Sequence, residues 1–294
     1  MSIQPGDPSD RGPWTAMRRT FRSHWYAERY RSALRELEAY CMFIGHARAG
    51  GSLVGALLDA HPEAVIADEI DVLRPMQLGW SRDRILAGLI PSSRNQARWR
   101  HTPPGTGRTL PNPVTGQWQG RFARLRVMGS SRAGPTTRAI AEQPGLLDAW
   151  RSTLGSPVNI RVIQVVRSPY DAISQMMLRS GRDFDSGIER YFSNCEAVTR
   201  VRSLLAPDEV LLVRHEMFVD DPLGWIQRCC AHLGLEPSDA YLEATVSIVR
   251  RPVPHRLELP WSAAHIADVA RQTERFDFLA GYHFADQSEV VPSV

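Results

Sequence analysis

The stretch CMFIGHARAGGSLVGALLDAH, residues 41–61, decides how the rest of the chain is read. Cys41, Met42, Phe43 and Ile44 form a short apolar run of the kind that makes a buried strand. A Walker-type phosphate loop reads G-x-x-x-x-G-K-[ST]. Gly45, Gly50 and Ser52 occupy three of its defining positions, but Gly51 stands where the lysine belongs and the positive charge sits inside the loop, at Arg48. From Ser52 to His61 the pattern is helical, with Leu53, Val54, Leu57 and Leu58 on one face. Strand, glycine turn and helix bring backbone N–H groups and a helix dipole onto an anion. Without the lysine, the usual contact to a nucleotide's terminal phosphates is missing. The loop therefore points away from ATP or GTP hydrolysis and toward another phosphate-bearing donor. Glycines also mark ordinary tight turns; here the flanking strand and helix favour an anion site.

Outward from this unit, short apolar runs alternate with helical stretches. The candidate strands are 41–44, 64–67, 125–128, 161–166 and 210–213. The candidate helices are 53–60, 81–90, 136–153, 170–180, 186–205, 221–233, 238–249 and 262–279. This alternation predicts an α/β fold with a P-loop-like central parallel sheet flanked by helices on both faces. A single domain is expected over 40–285. A polar tail and a basic amphipathic helix precede it (1–39), and a short tail follows (286–294). The helix, read over 15–39, suits packing on the domain or a homodimer contact; contact with a membrane surface is a third option. Residues 95–121 interrupt the alternation with Pro103, Pro104, Pro111 and Pro113. Such an insertion is usually functional or disordered, and the Gln117-Trp118-Gln119 run suits a substrate-side loop.

Length and composition set bounds. A chain of 294 residues with 43% hydrophobic content can bury a large core. The net charge of +3 shows none of the concentrated basic surface of a nucleic-acid binder. The 35 basic residues are carried by arginine, which suits bidentate contact with phosphate and sulfate oxygens, although GC-rich codon usage also raises arginine. Cys41, Cys195, Cys229 and Cys230 show no metal-ligand spacing and read as reduced thiols of a cytoplasmic protein. The sequence shows no signal peptide and no apolar run long enough to span a bilayer.

Ligands of parallel sheets bind beyond the carboxyl ends of the strands, so the residues just after each strand carry the functional reading. Asp68, Glu69 and Asp71 follow strand 64–67 and offer a general base or a helix-capping acid cluster. Arg132 follows strand 125–128 on the small-residue loop GSSRAG. Arg167 ends strand 161–166 in RSPYDAIS (167–174), where Pro169 fits a first helical turn and Ser174 follows. Arg48, Arg132 and Arg167 at three strand ends predict two separate anion sites. A nucleoside donor with phosphates at both ends would span them.

With these motifs in place, the chain resembles the sulfotransferases that use 3′-phosphoadenosine 5′-phosphosulfate. FIGHARAGGSLVGALLDAHP (43–62) is similar to that family's 5′-phosphosulfate loop. VIQVVRSPYDAISQ (162–175) resembles its 3′-phosphate motif, and RHEMFVDDPLGWIQRCCAHLGL (214–235) resembles its R-Y-E-D-L…D-P…L-G-L segment. The layout is closest to bacterial and Golgi members, including the tyrosylprotein and carbohydrate branch. The resemblance implies donor contacts from Arg48, Ala49, Gly50, Gly51, Ser52 and Leu53. At the 3′-phosphate it implies Arg167 with Ser174 or Gln175, and Arg250, Arg251 or Arg256 in place of the missing C-terminal glycine-rich segment. It implies Glu69 as base, Arg48 as stabiliser of the leaving phosphate, and Arg132 and Trp118 on the acceptor side. No metal is required, and the acceptor would be a small molecule or glycan held by 70–122 and 176–190. Ala47, Ala49 and Gly51 depart from the family loop and remove side-chain hydroxyls. Trp261 could stack on adenine or belong to the core. The competing readings are a P-loop kinase or NTPase, favoured by the Asp68-Glu69 pair, and a non-catalytic nucleotide-binding protein.

Overall fold

The computed structural model describes residues 24–103, 110–181, 183–251 and 254–285. Five strands form the sheet: β1 Ala39–Gly45, β2 Ala64–Ala67, β3 Val127–Ser130, β4 Asn159–Val166 and β5 Val210–Arg214. Their order is β2-β3-β1-β4-β5 and every pairing is parallel. The chain leaves β1 toward β2 on one side and leaves β4 toward β5 on the other. A crevice therefore opens between the carboxyl ends of β1 and β4, the usual ligand position of such sheets.

The described helices are α1 Arg31–Leu34, α2 Gly51–Leu58, α3 Leu73–Gln77, α4 Arg82–Arg100, α5 Ala133–Glu142, α6 Gly145–Leu154, α7 Pro169–Ser180, α8 Phe184–Arg202, α9 His215–Asp220, α10 Pro222–His232, α11 Asp239–Val246 and α12 Ala263–Thr273. All seven residues of β1 are buried, as a strand covered on both faces requires. Side chains alternate across it. Cys41 and Phe43 pack with Val54 and Leu57 of α2 and with Ile226 and Cys229 of α10. Tyr40, Met42 and Ile44 pack with Ile85, Leu86 and Leu89 of α4 and with Trp150 of α6. Fully burying one such side chain stabilises the fold by roughly 1.5–3 kcal/mol. A third cluster joins α7, α8 and α12 through Ile173, Tyr191, Phe192 and Val269. The fold is thus the P-loop-like α/β sheet, helices on both faces, that the alternation predicts.

Several expected boundaries differ, among them the strand expected at 125–128, which forms at Val127–Ser130. The helix expected over 81–90 continues through Pro91 to Arg100. Proline removes a helical hydrogen bond, but the second half of α4 is fastened to the sheet. Ser93 donates to both oxygens of Asp59, and Gln96 both donates to and accepts from the Asp68 backbone at 2.7 Å. The first residues of the expected 95–121 insertion are therefore helical, and 104–109 lie outside the described residues. The expected helix 136–153 is two helices, broken around Pro144. The last helix stops at Thr273 and is followed by a short 3₁₀ turn, Asp277–Leu279. In the N-terminal segment, residues 24–29 and α1 are helical but β1 already begins at Ala39; 1–23 and the tail 286–294 lie outside the described residues. No helix among the described residues is long and apolar enough to cross a membrane.

Candidate active site

The loop after β1 is pinned at its start from two sides. The Gly45 N–H donates to Thr137 Oγ1 of α5 at 2.9 Å, and Asn194 of α8 donates to the Gly45 carbonyl at 3.2 Å. The buried His46 ring stacks on Tyr191 with centroids 4.1 Å apart and meets the Tyr191 carbonyl at 2.9 Å. Burial lowers the His46 pKa to about 4, so the ring is neutral near pH 7. From this anchor the loop turns through Arg48, whose φ of 71° is left-handed, and Gly50, at 111°. A non-glycine residue with positive φ stores strain of a kind that clusters at functional sites. Arg48 projects from the surface, while Ala49 is buried.

α2 then begins at Gly51 with its first-turn N–H groups facing the loop. Such groups have no partner within the helix. Leu53 is a partial exception, because its N–H donates to the Gly50 carbonyl at 3.0 Å. The Ser52 hydroxyl is committed: it donates to Asp68 Oδ1 at 3.0 Å, and Ser131 donates to the same oxygen at 2.6 Å. Arg100 reaches the other Asp68 oxygen at 3.5 Å. Asp68 thereby ties together the ends of β2 and β3, the start of α2 and the end of α4.

Glu69, the next residue, has a left-handed φ of 55° and an exposed side chain. Its carboxyl is pushed above the ordinary 4.5 by loss of surrounding water and then by the charge of Asp68; Arg132 and Arg48 pull it the other way. These opposing influences bring Arg48, Glu69 and Arg132 to one electrostatic neighbourhood. Arg132 precedes α5 and pairs with Asp71 at 3.1 Å. Both line a cavity of about 180 Å³ with Arg74, Gln77 and Gln143.

Across the crevice, Arg167 follows β4 directly. It is 6% exposed, and no hydrogen bond or ion pair engages its guanidinium among the described residues. It lines a cavity of about 20 Å³ with Asp171, His215, Glu216, Asp220 and Arg251. His215 joins the two halves of the crevice. A Cβ on Gly50 would lie 2.6 Å from its Nδ1, and burial, followed by the charge of Arg167, lowers its pKa to about 4. Glu216 accepts from the Ser168 N–H at 2.9 Å and from the Tyr282 hydroxyl at 2.6 Å.

Several expected contacts fall elsewhere. Ser174 is fully buried, and its hydroxyl accepts the Trp261 indole N–H at 3.0 Å. Gln175 meets His255 at 3.1 Å. Neither lines the Arg167 cavity, because both lie farther along α7 and turn toward the C-terminal segment. Trp261 is a core residue, edge-on to Tyr170, Phe184 and Phe284. Arg256 forms a fully buried pair with Asp171 at 3.0 Å, so its charge is spent inside the protein. Arg250 binds the carbonyls of Ser247 and Val249. Of the three C-terminal arginines, only Arg251 reaches the cavity. The backbone N–H of Trp118 donates to the Ala60 carbonyl at 3.1 Å, beyond the far end of α2. An eight-residue helix, about 12 Å, separates that point from the loop, and the Trp118 ring lies under the Arg121 guanidinium. A cavity of about 490 Å³ lies between α4 and 114–121, lined by Arg94, Arg98, His101 and Gln117. None of Arg48, Glu69 or Arg167 lines it.

Residues missed in the sequence are His215, Asp171, Gln96 and Arg100. His215 sits where the resembling segment has an aromatic ring, which was its one visible signal. Gln96 and Arg100 share a helix face at i, i+4, a signal hidden by ending the helix at Pro91.

The class defined by this architecture is P-loop-like α/β. Residues 157–239, less than half of the chain, match the model of the Sulfotransferase family. The sulfotransferase resemblance is borne out over that segment, which holds Arg167, His215 and Asp220; the 45–52 loop lies outside it. No curated protein matches the chain. Among solved structures, the sulfotransferase domain of the Synechococcus PCC 7002 olefin synthase is 17% identical, covers 81% of this chain and 94% of its own, and gives a TM-score of 0.48. Sulfotransferase STF1 from Mycobacterium tuberculosis H37Rv is 14% identical, with 87% and 81% covered and a TM-score of 0.48. Mouse sulfotransferase SULT7A1, complexed with PAP, is 9% identical, with 82% and 84% covered and a TM-score of 0.43.

Proposed function

We propose that the protein moves a sulfuryl group from 3′-phosphoadenosine 5′-phosphosulfate to a hydroxyl of a small molecule or glycan. The observation that carries this reading is Arg167, 6% exposed and with no hydrogen bond or ion pair on its guanidinium among the described residues. It lies one imidazole away from the glycine loop that opens α2. A guanidinium largely withdrawn from water gains from an anionic partner. The residues present suit such a donor: an N-terminal helix turn for one phosphate and Arg167 for the other.

In this reading the loop amides and Arg48 hold the 5′-phosphosulfate and stabilise the charge that grows on the leaving phosphate. Glu69 accepts the proton of the acceptor hydroxyl. The acceptor oxygen forms its bond to sulfur as the bond from sulfur to the phosphate oxygen breaks, and adenosine 3′,5′-bisphosphate leaves. Arg132 borders the acceptor side, where the 180 Å³ cavity supplies polar walls.

One observation favours a kinase or NTPase instead. The Ser52 hydroxyl lies against Asp68, the pair that holds magnesium in P-loop NTPases. Against it, Asp68 also accepts from Ser131 and Arg100. Calorimetric titration separates the two readings. Tight binding of adenosine 3′,5′-bisphosphate, weak binding of ATP, and a loss of roughly tenfold to a hundredfold with Arg167→Ala are the expected results. Preference for magnesium-ATP would establish the other reading.

A further inference from the structure

We propose that the cavity between α4 and 114–121 binds a small organic anion carrying two or more sulfate, phosphate or carboxylate groups, at a site separate from the donor crevice. The proposal stands whether or not the donor reading above does. Four basic side chains line this cavity, Arg94, Arg98, His101 and Arg121, and no carboxylate among the described residues does. The cavities described above are different: Arg132 meets Asp71 in one, and Arg251 meets Asp220 in the other. The side chains of Arg94, Arg98 and His101 have no hydrogen bond or ion pair among the described residues. They recur at i, i+4 and i+7 along α4 and its C-cap, so they form one stripe. Gln96 and Arg100, which fasten α4 to Asp68, project from roughly the opposite side of the helix. The stripe is therefore turned away from the crevice.

Like charges at this spacing repel one another and weaken a helix. The dipole of α4 favours cations in the last turn, which accounts for Arg98. It does not account for Arg94, which lies before that turn, or for Arg121, which belongs to another segment. The wall facing the stripe is fixed in place. Gln119 accepts from the Val114 N–H and donates to the Ala56 carbonyl of α2, each at 2.9 Å. The Gly120 N–H donates to Asp59 at 3.0 Å. Arg121 donates to the Gln117 carbonyl at 2.8 Å and stacks over Trp118. These bonds hold its guanidinium without neutralising it. A preformed wall leaves an entering ligand little to order. The volume of about 490 Å³ matches a small-molecule site. Arg94 and Arg98 are separated by about 6 Å along the helix axis, which suits two anionic groups of one small molecule.

The test is calorimetric titration at low salt with fructose 1,6-bisphosphate, with fructose as the neutral probe. The titration is made on the unaltered protein and on Arg167→Ala, Arg98→Glu and Arg94→Ala. Arg98 is exposed and has no partner to lose, so Arg98→Glu keeps the fold. The bisphosphate should bind the unaltered protein and Arg167→Ala with equal affinity, and fructose should bind neither. Arg98→Glu should weaken bisphosphate binding about tenfold to a hundredfold, and Arg94→Ala should weaken it too. Added salt should weaken binding as well, because the site is partly open to solvent. Loss of binding in Arg167→Ala with none in Arg98→Glu would place the probe in the crevice and overturn the second site. Absence of bisphosphate binding to Arg167→Ala would overturn it as well. Binding of long dextran sulfate without binding of the bisphosphate would assign the stripe to a polymer, and the small-molecule site would fall.

Discussion

Glu69 and Arg48 both hold left-handed backbone conformations at the mouth of the same crevice. Such a conformation costs a non-glycine residue about 1–3 kcal/mol, and each is paired here with an exposed, charged side chain free to meet a ligand. Glu69→Ala is expected to lower the rate of sulfuryl transfer by about 10²–10⁴-fold, the usual contribution of a general base. Bisphosphate affinity should hardly change. The pH dependence has a definite sign. A base works deprotonated, and the Glu69 carboxyl titrates above the ordinary 4.5 because it is partly stripped of water and lies beside Asp68. Activity should rise with pH through a midpoint above that value and then level off. A pH–rate profile that is flat between pH 4 and 7 would remove Glu69 from the base role.

At the scale of elements, the junction of α2 with α9 sets the geometry of the loop. Gly50 is left-handed and nearly touches the His215 ring, which in turn borders Arg167. Gly50→Ala should cost about 1–3 kcal/mol, from strain at positive φ and from a Cβ forced against Nδ1. Chemical denaturation reads the loss. In a His215→Ala background the steric part should vanish and only the backbone part remain. A full penalty in both backgrounds would show that His215 is not what confines the loop. Glycine at position 50 was legible as a loop residue; the imidazole that demands it was not, because the two lie far apart in sequence.

The whole molecule is tied across its layers by Asp59, a buried carboxylate at the end of α2. It accepts from the Ile66 N–H of β2 at 2.8 Å, from Ser93 of α4, and from the Gly120 N–H at 3.0 Å. Removing it leaves buried donors without an acceptor, so Asp59→Ala should destabilise the fold by about 2–4 kcal/mol. Burial raises its pKa from 3.8 to about 6. The folded state therefore binds this proton more tightly than the unfolded chain does. The stabilisation linked to that proton is complete below 3.8 and is lost as pH rises through about 6. The stability gap between the unaltered protein and Asp59→Ala should narrow over that window. A gap that widens with pH would reverse the assignment.

The strand pattern, the parallel sheet and the positions of Arg48, Glu69 and Arg167 followed from sequence alone, because short apolar runs and glycine turns are local signals. Apolar runs in β1 and β4 had to be central strands, and whatever followed them had to emerge at one edge. Only the tertiary structure decided which polar groups are free and which are spent. Arg256, Ser174 and Ser52 look like ligands in sequence, yet each is taken by a partner: Asp171, Trp261 and Asp68. Arg167 carries the same charge as Arg256 and has no hydrogen bond or ion pair on its guanidinium among the described residues. The physical reason is that hydrogen bonding and desolvation depend on residues brought together from distant parts of the chain, which local pattern does not encode.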